Sequence, residues 1–526
     1  MQAVVEPQGM IRSAPIRAAG SRAWVTPSLV GILTLVGFLV RLRGMGQSLL
    51  GDELLLYWDV WQRSARDVIA QVAQPIEVNP PLYHLLARGS QLAGGDPSVM
   101  VRLPALLAGT ATIPVTYLLG ARIAGRRAAI VACALASFSP FGVYFSNEAR
   151  PYALTTFLAA LSTLMLLRAI DQPRPSRWIA YSFTSLAVLY THYTGVFVLL
   201  VQFGWAAWTH RSLVRSLVIW NVLAGILFLP WIPVVLRPSG YFQSYGPFVL
   251  SSDLLLQLRK LVISSPLVGV GFERVPGLAA GALFIGAAVV ALLAWILQRG
   301  AANGQPADQS ASRVKRPGLL LALVFSSPIG ILLASAIRGW DMVLARNFAA
   351  SFVGMTIAVA VVMTLPRGWI GRATAIVAVG ALAWGCTHSF ERSNERTDNR
   401  AAAHWIDGNV RKGTIVVNAQ VPFAGLWPLS PYLRSVTDAG RKRLRDQLDT
   451  NATTPQKPYG QQFLDAKWSG LDVAVAFDSI PQMERLVVIP KNFEGQFRLA
   501  KQARFPGFQG GVTVRVFENL QTPVGR

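Results

Sequence analysis

Charge is what this sequence has least of. Only 14% of its 526 residues are Asp, Glu, Lys or Arg, while 52% are hydrophobic. A soluble domain carries about 25% charged residues, so the chain is not a string of ordinary soluble domains. Cysteine is nearly absent. Cys133 and Cys386 both sit in apolar runs, which excludes a disulfide framework and a thiolate zinc site. Acidic residues are scarce as well, 26 against 49 basic ones for a net charge of +23. In a soluble chain that excess points to nucleic acid, but cytoplasmic loops of membrane proteins also collect Lys and Arg. The second reading fits the apolar runs, and nucleic acid is not expected as a partner. No internal repeat is visible.

What is present is a series of apolar runs of about 17–24 residues, the length that crosses a hydrocarbon core as a helix. The runs predict eleven membrane helices near 23–42, 99–120, 127–145, 151–169, 177–190, 194–209, 213–233, 276–298, 318–337, 347–365 and 369–389. With residues 1–22 inside, inner segments hold 17 basic and three acidic residues, and outer segments up to 389 hold 13 and ten. That asymmetry predicts a cytoplasmic N-terminus, although Arg41 and Arg43 run against it. The first run lacks a small-residue cleavage site and reads as an uncleaved anchor. An odd helix count then puts the C-terminus outside.

The outer segments 43–98 and 234–275 are long; inside, only 299–317 is, and it reads as a flexible linker. From about 390 the composition turns mixed, with a helical stretch near 398–410 and strand patterns at 414–418, 472–477, 485–489 and 512–517. Residues 390–526 therefore read as a small α/β domain on the outer face, after a membrane domain over 23–389.

Apart from Arg102 near an outer end, the predicted span interiors hold no Asp, Glu, Lys or Arg, which argues against an ion- or proton-coupled carrier. Polar residues gather instead at outer helix ends. Gly51-Asp52-Glu53 opens an amphipathic stretch expected to lie in the interface plane, with Leu54, Leu55, Leu56, Trp58 and Trp61 on its apolar side. Asn79-Pro80-Pro81 leads stiffly into Leu82-Tyr83-His84. Glu148, Arg150 and Tyr152 stand between the third and fourth helices, and His192 between Tyr190 and Tyr193 follows the fifth. Arg338, Asp341 and Arg346 precede the tenth.

Singly, each patch has a plain structural explanation: an N-cap, a local ion pair, an aromatic belt, an arginine reaching headgroups, a turn. All five on one side of one membrane make a charged cavity at headgroup depth. Such a cavity suits a lipid phosphate bearing a polar group. Arginines hold phosphate in planar, bidentate fashion. If the group is a sugar, the phosphate leaves as a good anion, and one carboxylate suffices to take the acceptor's proton. Asp52, Glu53 and Glu148 leave a divalent cation open, without a spacing signature.

These residues carry a resemblance. The chain resembles membrane-embedded glycosyltransferases of the GT-C fold, in the bacterial branch of the dolichyl-phosphate-mannose protein mannosyltransferase family. That branch includes aminoarabinose lipid A transferases and Rgt-type lipopolysaccharide galacturonosyltransferases. The matching text runs from Arg41-Leu42-Arg43-Gly44 and Ser48-Leu49-Leu50-Gly51-Asp52-Glu53 to Asn79-Pro80-Pro81-Leu82-Tyr83. It continues through Val101-Arg102-Leu103-Pro104-Ala105, Gly125-Arg126-Arg127-Ala128-Ala129 and Glu148-Ala149-Arg150-Pro151-Tyr152-Ala153-Leu154 to Tyr190-Thr191-His192-Tyr193-Thr194-Gly195.

The resemblance implies inverting transfer of a sugar from a polyprenyl-phosphate donor, at the periplasmic face of a bacterial inner membrane. The acceptor would be an envelope glycan such as lipopolysaccharide, a glycolipid or a protein. It implies Asp52 as the key carboxylate with Glu53 beside it, and Arg346 as a phosphate ligand. Arg150 and His192 would be further donor contacts, with Tyr83, His84, Glu148 and Tyr152 lining the pocket. Two departures stand out: Asn347 replaces the aromatic residue after Arg346, and Asn79 replaces the Lys or His before the proline pair. A lipid-linked sugar flippase and a non-catalytic membrane scaffold are the competing readings.

Overall fold

The architecture comes from a computed structural model. It describes residues 20–74, 77–237, 255–256, 278–301, 314–339, 341–388, 390–391, 395–410, 414–419, 428–429, 431–434, 472–478, 497–507 and 510–520. The long outer segment 234–275, the linker 299–317 and the strand expected at 485–489 lie largely or wholly outside the described residues.

All eleven expected apolar segments are helical. Among the described residues, eight helices are long and apolar enough to cross a membrane, or nine if the bent pair Arg126–Phe138 and Pro140–Ser146 is one span. Pro175–Leu189 and Gly195–Thr209 are shorter, at 15 residues each. The most enclosed helices are Tyr152–Asp171 and the segment Ala345–Thr364, whereas Arg211–Val235 and the first helix are peripheral. The peripheral helices turn Ile32, Leu35, Leu39, Val222 and Ile226 outward, as helices facing lipid do.

The 52° bend between Arg126–Phe138 and Pro140–Ser146 has a local cause. Pro140 has no N–H to offer the carbonyl of Ala136, so the ladder opens there. Arg41, buried at the end of the first helix, donates to the carbonyls of Ala136 and Ser137, each at 3.0 Å, and to Ser146 Oγ at 3.1 Å. That explains why Arg41 runs against the charge rule: its guanidinium satisfies freed carbonyls inside the protein. Gly109 lets the helix Pro97–Ile123 approach this bend, since a Cβ there would lie 1.9 Å from Ser146 Oγ.

The first loop is built of three short helices, α1 (Asp52–Val60), α2 (Ala65–Val72) and α3 (Leu82–Gln91), packed on α4 (Pro97–Ile123). Here the expectation of an interfacial helix is corrected. Glu53, Leu54, Leu56, Tyr57, Trp58, Asp59 and Val60 are all buried, so protein rather than lipid covers the apolar side of α1. Two acidic residues on that helix demand partners that only protein supplies.

Beyond the last apolar helix lie α5 (Asn399–Asn409) and a four-stranded sheet of β1 (Ile415–Ala419), β2 (Val473–Asp478), β3 (Phe497–Phe505) and β4 (Val512–Asn519). The order is β1-β2-β4-β3, with β1 and β2 parallel and the other pairs antiparallel. Three strands fall where the alternation predicted them. β3 was not predicted, because its sequence Phe-Arg-Leu-Ala-Lys-Gln-Ala-Arg-Phe exposes most of both faces at the sheet edge.

Candidate active site

Glu53 is the hub of the first loop. Gly51, at φ 57° and ψ −126°, turns the chain in a conformation open to glycine, and α1 starts at the next residue. Glu53 is 1% exposed and takes a bidentate pair from Arg102, Nε to Oε1 at 2.8 Å and Nη2 to Oε2 at 2.7 Å. The amide of Ala149 adds a bond at 2.7 Å, and Arg396 pairs with Oε2. Burial works to raise this carboxyl, but Arg102 and Arg396 outweigh it and hold it at about 2. With its oxygens saturated, Glu53 binds the loop in place and has no capacity left for a substrate proton. Its expected supporting role fits; a catalytic one does not.

Arg102 spends its other donors on the carbonyls of Met45 and Ser48, each at 3.0 Å, and on that of Gln47. Segment 44–50 of the loop is therefore moulded around one guanidinium.

Asp52 sits one residue away and is treated differently. Its carboxylate is one-quarter exposed and meets Arg346 Nη1 at 3.2 Å. Arg346 is placed by a 3₁₀ turn, Ala345–Ser351, that precedes the helix Phe352–Thr364. Thr156 Oγ1 anchors that turn through the carbonyl of Ala349 at 3.0 Å, and Asn347 Nδ2 through that of Met342 at 2.7 Å. Asn347 thus braces the backbone of this turn through its side-chain amide.

Glu148 lies beside this pair, within electrostatic reach of Arg396, Glu53, Asp52 and Arg346. Its Oε2 is buried without a hydrogen bond. Burial, reinforced by Glu53 and Asp52 against the two arginines, pushes the carboxyl up to about 7. Tyr152 is buried between Phe145 (ring centroids 5.0 Å) and His192 (5.5 Å) and joins the same electrostatic neighbourhood.

Three expected pocket residues are engaged with protein groups around the site. Tyr83 is fully buried and donates to the carbonyl of Val101 at 3.0 Å, bracing α3 against α4. His84, also fully buried, faces Asp59 and Glu77. His192 bonds Thr194 through Nδ1 at 2.8 Å, and burial beside Arg150 and Arg346 lowers its pKa to about 3. A neutral imidazole cannot act as the substitute cation for Asn79. Nor is Arg150 free for that task, because Glu77 holds it at 3.0 and 3.2 Å. Of the three carboxylates that left a divalent cation open, Asp52 and Glu53 are turned to arginines.

Sequence reasoning missed Glu77, Asp59, Arg396, Arg400 and Tyr432. Tyr432 accepts from the amide of Leu49 at 2.7 Å and meets Ser98 Oγ at 2.6 Å. Arg400 reaches Asp96 at 2.8 Å, and its amide bonds Ser48 Oγ at 3.0 Å. Arg396, Arg400 and Tyr432 therefore latch the loop that carries Asp52. No local motif marks them; only Glu77, an acid two residues before Asn79-Pro80-Pro81, offered a signal.

Residues 78–236 match the family model described as dolichyl-phosphate-mannose-protein mannosyltransferase. Among solved structures the chain is similar to ArnT from Cupriavidus metallidurans in the apo state, at 15% identity and TM-score 0.48, covering 95% of this chain and 98% of that one. It is similar to the same protein bound to undecaprenyl phosphate, at 14% identity and TM-score 0.46, covering 96% and 100%. It is also similar to the oligosaccharyltransferase of Archaeoglobus fulgidus in the apo form, at 13% identity and TM-score 0.44, covering 80% and 64%. No curated protein matches the chain.

The family-model match over residues 78–236 overlaps the region on which the resemblance rests. The apolar helices make the chain a multi-pass membrane protein, and within it residues 78–236 match a glycosyltransferase family model.

Proposed function

We propose that this protein transfers a sugar from a polyprenyl-phosphate donor to the hydroxyl of an envelope glycan, glycolipid or protein, at the periplasmic face of a bacterial inner membrane. The observation that carries the reading is the contrast between Asp52 and Glu53. Glu53 is consumed by two arginines and an amide, while Asp52 is part-exposed and held by one arginine that a phosphate would compete for.

The donor phosphate takes Arg346 from Asp52 by offering it a doubly bonded planar contact. Asp52, released, accepts the proton of the acceptor hydroxyl as its oxygen attacks the anomeric carbon. The bond from that carbon to the phosphate oxygen breaks, and the oxygen keeps the electron pair. Polyprenyl phosphate leaves with its added charge on Arg346. A single displacement of this kind inverts the anomeric centre. Glu148, its carboxyl pushed up to about 7 by burial, is placed in its protonated form to donate a hydrogen bond to the sugar or phosphate.

The test is a mass comparison of envelope glycans and glycolipids from wild type, a deletion strain and Asp52→Asn. One sugar missing from one species in both mutants supports the reading and names sugar and acceptor together. A profile changed by deletion and restored by Asp52→Asn, at normal expression, overturns it and favours a carrier.

A further inference from the structure

A second polar cluster lies in the first loop, away from the Asp52–Arg346 pair and unused by the proposed reaction. Asp59 comes from the end of α1, Glu77 from the segment before the proline pair, and His84 from α3. One ligand atom from each lies within 4.8 Å of the others. His84 Nε2 stands 3.4 Å from Glu77 Oε2 and 3.7 Å from Asp59 Oδ2. A tetrahedral cation about 2.0–2.1 Å from its ligands spaces them by about 3.3–3.4 Å.

Acidic residues in a cluster do not by themselves make a site. The independent observation is His84. Its side chain is fully buried, and neither Nδ1 nor Nε2 has a hydrogen-bond partner, although Nε2 points between two carboxylates. An orphaned imidazole in a dry interior is costly, and a metal bond is one way for a neutral ring to satisfy it.

The surroundings are organised as a metal's outer shell would be. Glu77 Oε1 accepts the amides of Val78 and Asn79, both at 2.9 Å, and Asn79 Nδ2 at 2.7 Å. That leaves Oε2 directed at His84, with Arg150 at 3.0 Å balancing one negative charge. We propose that Asp59, Glu77 and His84 bind one divalent cation of the zinc type, which ties α1, the proline segment and α3 into one unit and so fixes Arg150. One imidazole with two carboxylates suits zinc better than magnesium or calcium. The inference stands independently of the proposed reaction.

The experiment uses the full chain, purified in detergent with a histidine-free tag, and measures metal by inductively coupled plasma mass spectrometry. About one equivalent of zinc per chain is expected, together with a visible d–d spectrum after exchange for Co²⁺ and a Tm that falls on chelation. His84→Gln and Asp59→Asn should lose both signals, while Asp52→Asn keeps them. Wild-type protein with almost no zinc after supplementation and no Co²⁺ spectrum overturns the assignment, whether or not the variants fold. So does zinc retained in full by both His84→Gln and Asp59→Asn, or uptake of magnesium or calcium in its place.

Discussion

The two ends of helix α4 carry the same chemistry under opposite conditions. At one end Arg102 is fully buried and joined to Glu53 and to three backbone carbonyls. At the other end Arg122 shares Asp171 with Arg316, and the side chains there are between a fifth and two-fifths exposed. Both are arginine–carboxylate pairs between distant segments. Only the buried one dictates a structure, because its partners have no water to fall back on. The exposed one is replaceable by solvent and by headgroups.

The largest effect expected from breaking that contrast is at Arg102. Arg102→Met leaves Glu53 buried with Arg396 and the amides of Ala149 and, at 3.3 Å, Leu50, and removes the support of the Met45, Gln47 and Ser48 carbonyls. A loss of about 3–5 kcal/mol is expected, read as a fall in thermal midpoint of the purified protein and as complete loss of activity. If Arg102→Met keeps the wild-type midpoint, the loop is held by other contacts and the hub assignment fails.

Next comes Asp52, the neighbour of Glu53 with the opposite character. Asp52→Asn keeps shape and removes the base, so turnover should drop about 10²- to 10⁴-fold with the thermal midpoint essentially unchanged. Glu53→Gln should do the reverse, losing stability first and activity as a consequence. Equal behaviour of the two variants would remove the distinction on which the mechanism rests.

How much of this was legible beforehand follows from the same physics. Apolar runs report helical segments directly, so each expected run is helical among the described residues, but the break at Pro140 inside the run 127–145 was not read from the apolar pattern. The Asp52–Arg346 pair was legible as two outer-face residues of the right types, because the motif text around Asp52 is distinctive. The fate of Glu53, Tyr83 and His84 was not, since a sequence does not say which of several adjacent polar groups finds a partner. Arg396 and Tyr432 were invisible for another reason. They act across 343 and 383 residues of chain, and nothing local distinguishes them from surface residues of the mixed-composition region.

Within the site, Glu53 and Glu148 should titrate in opposite senses. Glu53 is held at about 2, below its unfolded value near 4.5, so its contribution is present above about pH 4.5 and disappears as pH falls toward 2. Glu148 is raised to about 7. Its folded form holds the proton more tightly than the unfolded chain, so stability is full below about pH 4.5 and is lost as pH rises through 7. Thermal midpoints of wild type and Glu148→Gln, compared between about pH 5 and pH 8, should diverge by on the order of 1–3 kcal/mol, with wild type the one that weakens at high pH. Parallel curves would mean that Glu148 is ionised throughout and cannot donate to a sugar or phosphate.

The smallest effect is expected at the exposed end of α4. Asp171→Asn removes the shared partner of Arg122 and Arg316, yet Arg316 keeps its bond to the carbonyl of Arg122 at 2.9 Å and both guanidiniums keep access to solvent. A cost of about 0–1 kcal/mol follows, shrinking further as salt is raised. The measurement is a thermal midpoint at low and high ionic strength beside that of Arg102→Met. A loss at Asp171 that matched the one at Arg102 and ignored salt would show that lipid headgroups dry this end of the bundle as thoroughly as protein dries the other. The difference between the two ends would then lie in what surrounds each pair, lipid or protein, and burial within the protein alone would no longer separate a structural arginine from a replaceable one.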